Sequence, residues 1–144
     1  MDESNMSEQK GRKPDTLAEL RAEAEAEPIS SFLKMRLLEL SPGYAKVSIK
    51  LTPEYENYNG MVFGGIIMSV ADEAFGYAVN SVDHPSVATQ FNTHFIAAAR
   101  VGDELIAEGR LLKSGKRVGI AEVTVTNQDG KLIARATGTT IPVR

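Results

Sequence analysis

The segment from Gly64 to Asn80 constrains the fold of this chain more than any other stretch. Its Ile66, Ile67, Met68, Val70, Ala71, Ala74, Phe75, Ala78 and Val79 cover nearly every direction around a helical axis. A helix that is apolar on all sides is buried inside a domain rather than laid on its surface. Something must wrap around it, and the flanking sequence supplies strands. From residue 44 the apolar period is two: Ala45, Val47, Ile49 and Leu51 alternate with Tyr44, Lys46, Ser48 and Lys50, as in a half-buried strand. Before it, Met35 and Leu37 alternate with Lys34 and Arg36, and Ser41-Pro42-Gly43 supplies a turn. Four more strand-like runs follow the helix, at 86–97, 103–112, 117–126 and 131–141. Ser114-Gly115 and Asp129-Gly130 read as hairpin turns, with glycine available for positive φ. Connections this short make their strands antiparallel, since a parallel crossover needs a dozen or more residues. The expectation is an α+β domain of five to six antiparallel strands wrapped around one long buried helix.

The remaining N-terminal sequence divides in two. Residues 1–13 carry few apolar side chains and read as a disordered arm. Thr16-Leu17-Ala18-Glu19 fits a capping box, so an N-terminal helix is expected over 14–27, stopping before Pro28. The wrapped domain then occupies 28–144.

Composition removes several classes of function. With 16 basic and 19 acidic residues the net charge is −3, which disfavours nucleic acid or an anionic membrane as partner. No apolar run is long enough to span a bilayer. The acidic start Met1-Asp2-Glu3-Ser4 does not resemble a secretory signal, so a cytoplasmic location is expected. The absence of cysteine rules out disulfides, thiolate nucleophiles and cysteine-based zinc sites.

Carboxylates on a buried helix require an explanation, because unpaired buried charge is expensive. Asp72 and Glu73 are adjacent and face different directions. Glu73 lines up with Ser69, Tyr77 and Asn80 as a polar stripe, consistent with a hydrogen-bonded structural role. Asp72 lines up with Gly65, Met68, Gly76 and Val79, where small residues leave room for a ligand. Desolvation there would raise its pKa, a condition for general-base work, although a structural ion pair reads equally well from helix geometry. Gly64-Gly65 opens the helix, where backbone N–H groups lack intrahelical partners and the dipole favours negative charge. Gly65 and Asp72 are seven residues apart, two turns, so the pair of features shares one face. An oxyanion formed at an attacked carbonyl could be held at that point.

Asn57-Tyr58-Asn59-Gly60-Met61-Val62-Phe63-Gly64-Gly65, followed by Asp72, resembles the signature of hotdog-fold acyl-CoA thioesterases of the phenylacetate-degradation type. That pattern reads Asn-x-x-Gly-x-x-His-Gly-Gly, with an acid eight residues after the first glycine of the pair. The resemblance continues through Val101-Gly102-Asp103, Lys113 to Arg117, and Asp129 to Ala134, and covers roughly 29–142. It implies Asp72 as the catalytic carboxylate, acting as general base or nucleophile. It also implies the Gly64 amide, with Gly65, as the group polarising the carbonyl, and Asn57 as an orienting residue. A homodimer or dimer of dimers follows, each site taking groups from both chains. The family histidine is Phe63 here, so any hydrogen bond from that position is lost. A hydroxyl that some relatives carry after the helix falls at Ala88 or Thr89.

The expected substrate is an acyl-CoA, with no metal or redox cofactor. Its acyl group would lie beside Phe63, Met68 and Phe75, with Gln90 of the polar strand face near the site or at a subunit seam. Its phosphates would meet Lys116 and Arg117, beside the Ser114-Gly115 turn. A non-catalytic acyl-CoA-binding protein is the alternative that Phe63 motivates. A hydratase on the same fold normally pairs the acid with histidine, which residue 63 lacks. His84 and His94 are the only histidines, no Gly-x-Ser-x-Gly elbow is present, and no metal-ligand spacing or phosphate-loop motif occurs.

Overall fold

The computed structural model describes residues 14–143, with side-chain surroundings from residue 17 onward. The arm expected at 1–13 lies outside the described residues. Helix α1 spans Pro14–Glu25 and a short α2 spans Pro28–Leu33. Strands β1 (Met35–Ser41) and β2 (Tyr44–Lys50) precede helix α3 (Gly64–Asn80), and β3 (Ser86–Phe95), β4 (Glu104–Ser114), β5 (Gly119–Thr126) and β6 (Leu132–Pro142) follow it. All six strands form one antiparallel sheet in the order β1-β2-β4-β5-β6-β3. Helix α3 packs chiefly against β4, β2 and β5, in the middle of the sheet. This is the hotdog arrangement, a sheet folded around one helix.

The alternation read at residues 44–51 puts Ala45, Val47 and Ile49 in the core of β2, although Ser48 between them is buried too; in β5, Ala121, Val123 and Val125 are fully buried. Two glycines let the helix sit this close. A β-carbon on Gly109 would collide with the carbonyl oxygen of Ala74, and one on Gly138 would lie 2.6 Å from the Phe75 ring. Both clashes would force helix and sheet apart, which a close-packed interior resists.

Four expectations need correction. Helix α1 begins at Pro14, so Thr16 lies within it and the capping box does not mark its start. The segment ends at Glu25, and Pro28, favoured at the first position of a helix, opens a separate helix α2. Of the two hairpin glycines, Gly130 adopts φ +77° while Gly115 is not among the residues with positive φ. Finally, α3 is not covered all round. Its buried residues include Ile67, Val70, Ala71, Ala74, Phe75, Ala78 and Val79, but Met68 and Asp72 are exposed. The sheet covers most of the helix and leaves one stripe open.

Candidate active site

The open stripe carries Gly65, Met68, Asp72 and Gly76 in successive turns. Asp72 projects outward from the single chain, yet the protein beside it still pushes its pKa above the ordinary carboxylate value, first by burial and then through the charge of Glu27. Gly76, one turn further, has open space where a β-carbon would stand. Met68 is 37% exposed and belongs to the same surface. Phe75 differs from expectation: it is 1% exposed, packs against Phe91 with ring centroids 5.1 Å apart, and sits under Gly138. It is a core residue and offers this chain no ligand-facing surface.

At the head of the stripe the helix starts with no side-chain cap, because Phe63 occupies the N-cap position. The Ile66 amide turns back to the Phe63 carbonyl at 2.9 Å. The amides of Gly64 and Gly65 therefore point out of the helix start with no intrahelical acceptor. Aromatic rings overhang both residues. A β-carbon on Gly65 would strike the Phe63 ring, and one on Gly64 would lie 3.2 Å from the Phe95 ring. A side chain at either position would have to displace one of these half-exposed rings, and Phe63 offers an apolar ring where a histidine would offer a polar edge.

Asn57 shapes the loop that delivers the chain to this point. Its Oδ1 accepts from the amides of Asn59 (2.9 Å) and Met61 (3.1 Å), and the Gly60 amide donates to its carbonyl at 3.0 Å. The β5–β6 turn repeats the arrangement: Asn127 Oδ1 accepts from the Asp129 and Lys131 amides, and Gly130 donates to the Asn127 carbonyl. Two backbone donors fix the orientation of the Asn57 amide. Its acceptor is thus committed to the loop, leaving only Nδ2 to act on a ligand, as a donor.

The polar stripe of α3 is hydrogen-bonded internally. Ser69 donates to the Gly65 carbonyl at 2.7 Å, and Asn80 Nδ2 to the Gly76 carbonyl at 2.8 Å. Tyr77, 7% exposed, donates to Glu27 Oε2 at 2.8 Å. Glu73 Oε2 is buried without a hydrogen-bond partner, and the group is pushed up to about 8, first by burial and then by the neighbouring Glu27 and the charge of Asp72. Glu27 was not singled out from the sequence, since its contact with Tyr77 spans 50 residues and leaves no local pattern.

The other candidates lie apart from the α3 stripe. Ala88, Thr89 and Gln90 are exposed in the first half of edge strand β3, where Thr89 is the extra residue of a bulge against β6. Phe95, at the other end of β3, is the residue that packs on Gly64. Register places the Lys116–Arg117 turn at the far end: Gly119 pairs with Thr140, which pairs with Ala88. At about 3.3 Å per strand residue, Lys116 and Arg117 are remote from their own chain's Gly64-Gly65. A hollow of about 390 Å³ beside the first turn of α3 is lined by Phe32, Leu33, Tyr55 and Ile66, with Lys34, Thr52 and Glu54 at its margin. It has no local sequence signal either, since its walls come from three separate segments.

Among the described residues no cluster of three or more His, Asp or Glu side chains suits a metal ion, and no helix is long and apolar enough to cross a membrane.

This combination, a sheet-wrapped helix with an uncapped Gly-Gly start and an acid two turns on, has close counterparts. The family model described as the Thioesterase superfamily matches residues 59–134. The chain belongs to that superfamily, in its PaaI-like branch, and is a thioester hydrolase. The acyl-coenzyme A thioesterase PaaI of Escherichia coli is 30% identical over 102 residues, covering 71% of this chain and 73% of the relative. The solved structure of that protein superposes with TM-score 0.82 over 90% of this chain and 95% of its own. A protein of Archaeoglobus fulgidus named as a candidate esterase is 37% identical over 107 residues, covering 74% of this chain and 70% of its own length. A Streptococcus mutans protein solved with acetyl-CoA bound shares 27% identity at TM-score 0.73, over 76% of this chain and 88% of its own.

Proposed function

We propose that this chain is an acyl-CoA thioesterase that hydrolyses an acyl- or aryl-CoA thioester to the free acid and CoA, with Asp72 as general base or nucleophile. The observation that carries the reading is the open α3 stripe, which sets Asp72 two turns from two uncapped amides in a chain of the thioesterase superfamily. A relative solved with acetyl-CoA supports the ligand class. In the general-base form, Asp72 takes a proton from water as its oxygen attacks the thioester carbonyl. The resulting oxyanion faces the Gly64 and Gly65 amides, and Asn57 Nδ2 adds a donor. The C–S bond then breaks, the acyl group leaves as the acid, and the CoA sulfur takes up the proton. As a nucleophile, Asp72 would instead form an anhydride that water cleaves. Neither route needs a metal or redox cofactor, and the reading carries a cytoplasmic location with it.

The active unit we propose is a homodimer, or a dimer of dimers. Strand β3 ends the sheet with most of its residues exposed, and Phe63, Met68, Val87 and Phe95 leave apolar surface around the stripe. An antiparallel second copy along β3 would cover that surface and satisfy the strand edge. It would also bring its own Ala88, Thr89 and Gln90, and the Lys116–Arg117 end of its sheet, toward the first copy's Gly64. Site and phosphate contacts would then come from different chains.

A second reading, acyl-CoA binding without turnover, is favoured by the Phe63 ring lying over Gly65. Thiol release from a panel of aryl-, short- and medium-chain acyl-CoAs separates the two. Turnover of at least one member is expected. Tight binding without thiol release would install the binding protein instead, and neither binding nor release would overturn both.

A further inference from the structure

A hollow of about 370 Å³ lies where α1, α2 and the start of β1 meet, and none of its described walls comes from α3. Arg21 enters it from α1, Lys34 from the end of α2 and Arg36 from β1. In a chain of net charge −3, three cations from three elements thus converge on one concavity. Like charges brought together repel, and an anion between them relieves that repulsion. Glu25 also borders the hollow. Among the described residues the ion pairs are Lys46–Glu39, Arg110–Glu108 and Arg135–Glu122, and none of them uses these three cations.

Each cation is held in place by its own element. Leu20 and Ala24, 4% and 5% exposed, anchor α1 and with it the half-buried Arg21. Lys34 adopts the left-handed backbone that caps α2 (φ 58°, ψ 40°), its amide turned back to the carbonyls of Ser30 and Ser31. Glycine takes this conformation without the steric cost of a β-carbon. The chain carries a lysine there instead, and its side chain lines the hollow. Met35, Arg36 and Leu37 all line it, although successive strand residues point to opposite faces, so the hollow runs over the edge of β1. Strand β1 ends the sheet, and of two consecutive residues on an antiparallel edge one turns its N–H away from the ladder. A backbone donor of Arg36 or Leu37 therefore joins the cations, as does the exposed hydroxyl of Ser31. Ser30 is committed elsewhere, its Oγ donating to the Met35 carbonyl at 3.1 Å.

We propose that this hollow binds the phosphate group of a small soluble phosphate compound. Two guanidinium forks, an ammonium, a hydroxyl and a backbone N–H suit a tetrahedral dianion, whose oxygens accept from several directions at once. A carboxylate, with two oxygens in one plane, would leave part of that set unused. The buried Ala24 and Met35 add an apolar floor on which an organic group attached to the phosphate could rest. Register sets the site apart from the Lys116–Arg117 turn. Arg36 pairs with Ser48 and Ser48 with Ile106, near the start of β4, whereas the turn follows Ser114 at its end. At about 3.3 Å per strand residue the two places are roughly 25 Å apart. The proposal does not depend on the catalytic reading of Asp72.

The test is a titration of the full ¹⁵N-labelled chain with inorganic phosphate, with AMP and with acetate, followed through the backbone amide resonances of Ser31, Lys34, Arg36 and Leu37. Saturable shifts at these residues are expected with phosphate or AMP, and weaker binding with acetate. Arg36→Gln and Arg21→Gln should each lower the affinity by about tenfold or more, as loss of a charged hydrogen-bond donor does. Lys131→Gln, which removes the same charge from the exposed β5–β6 turn, should leave it unchanged. AMP binding at least as tightly as phosphate identifies an organic phosphate as the ligand, and the reverse order identifies the free anion. Arg36 is exposed, so Arg36→Gln decides the matter even if the half-buried Arg21 proves necessary for folding. No saturable shift with either phosphate compound overturns the proposal, as does an affinity untouched by Arg36→Gln. An equal loss in Lys131→Gln would make the effect a field of the whole surface, and acetate binding as tightly would make the hollow a general anion patch; either result overturns it too. Thiol release plays no part in the readout, so failure here and failure of the acyl-CoA reading are told apart.

Discussion

The two faces of α3 belong to one helix and follow opposite rules. On the sheet side, Ala74 presses on Gly109 and Phe75 on Gly138, and a single added carbon would be a collision. On the open side, Gly76 meets nothing, Met68 is partly exposed, and Asp72 projects outward. The packed face holds the helix in place by burial, and the open face spends that rigidity on holding a carboxylate at a fixed distance from two free amides. Helical rise alone separates Gly65 from Asp72 by about 10 Å along the axis, at about 1.5 Å per residue.

Substitutions should therefore divide by face. The largest effect on stability is expected at Phe75→Ala, where the lost contacts and the cavity cost about 3–5 kcal/mol, read as a lower denaturant midpoint. Met68→Ala, on the open face, should change stability by about 0.5 kcal/mol or less and alter which acyl-CoAs are preferred. Equal losses from the two would break the comparison.

A pH-dependent effect is expected at the border between the faces. Glu73 ionises at about 8 in the folded chain against an ordinary 4.5. The folded state therefore holds this proton between those values, and the unfolded chain does not. The stability it contributes is fully present below about pH 4.5 and is lost as pH rises through about 8. The melting temperature should fall over that interval in wild type, and Glu73→Gln, which cannot ionise, should flatten the fall. An unchanged slope would remove Glu73 from the account.

Much of this was legible in the sequence because it is periodic. The bounds of α3, Gly64 to Asn80, follow from the apolar run and its glycine start, the alternation in residues 44–51 gives β2, and the strand-like run 117–126 gives β5 to within two residues. The polar partners of Ser69 and Asn80 lie within one turn or one loop, so their structural role was also readable. What the sequence could not separate was Phe75 from Met68. Both are large and apolar on the same helix, and only the position of the sheet decides which is core and which is surface. Glu27, the hollow walled by Phe32 and Tyr55, and the distance of Lys116 from Gly64 depend on contacts between distant segments. No local period encodes such contacts. Asn57 was read from a motif, yet its Oδ1 serves the loop as Asn127 does in a plain hairpin, and that commitment shows only in the hydrogen bonds.

The central claim is that the open face of α3 does chemistry through Asp72 while the packed face holds the fold. It is tested most directly by measuring kcat for Asp72→Asn on the best substrate of the acyl-CoA panel, beside its melting temperature. The account predicts a fall of about a hundredfold or more, the loss expected for a general base, with the melting temperature held. Turnover undiminished in a folded Asp72→Asn protein would contradict it.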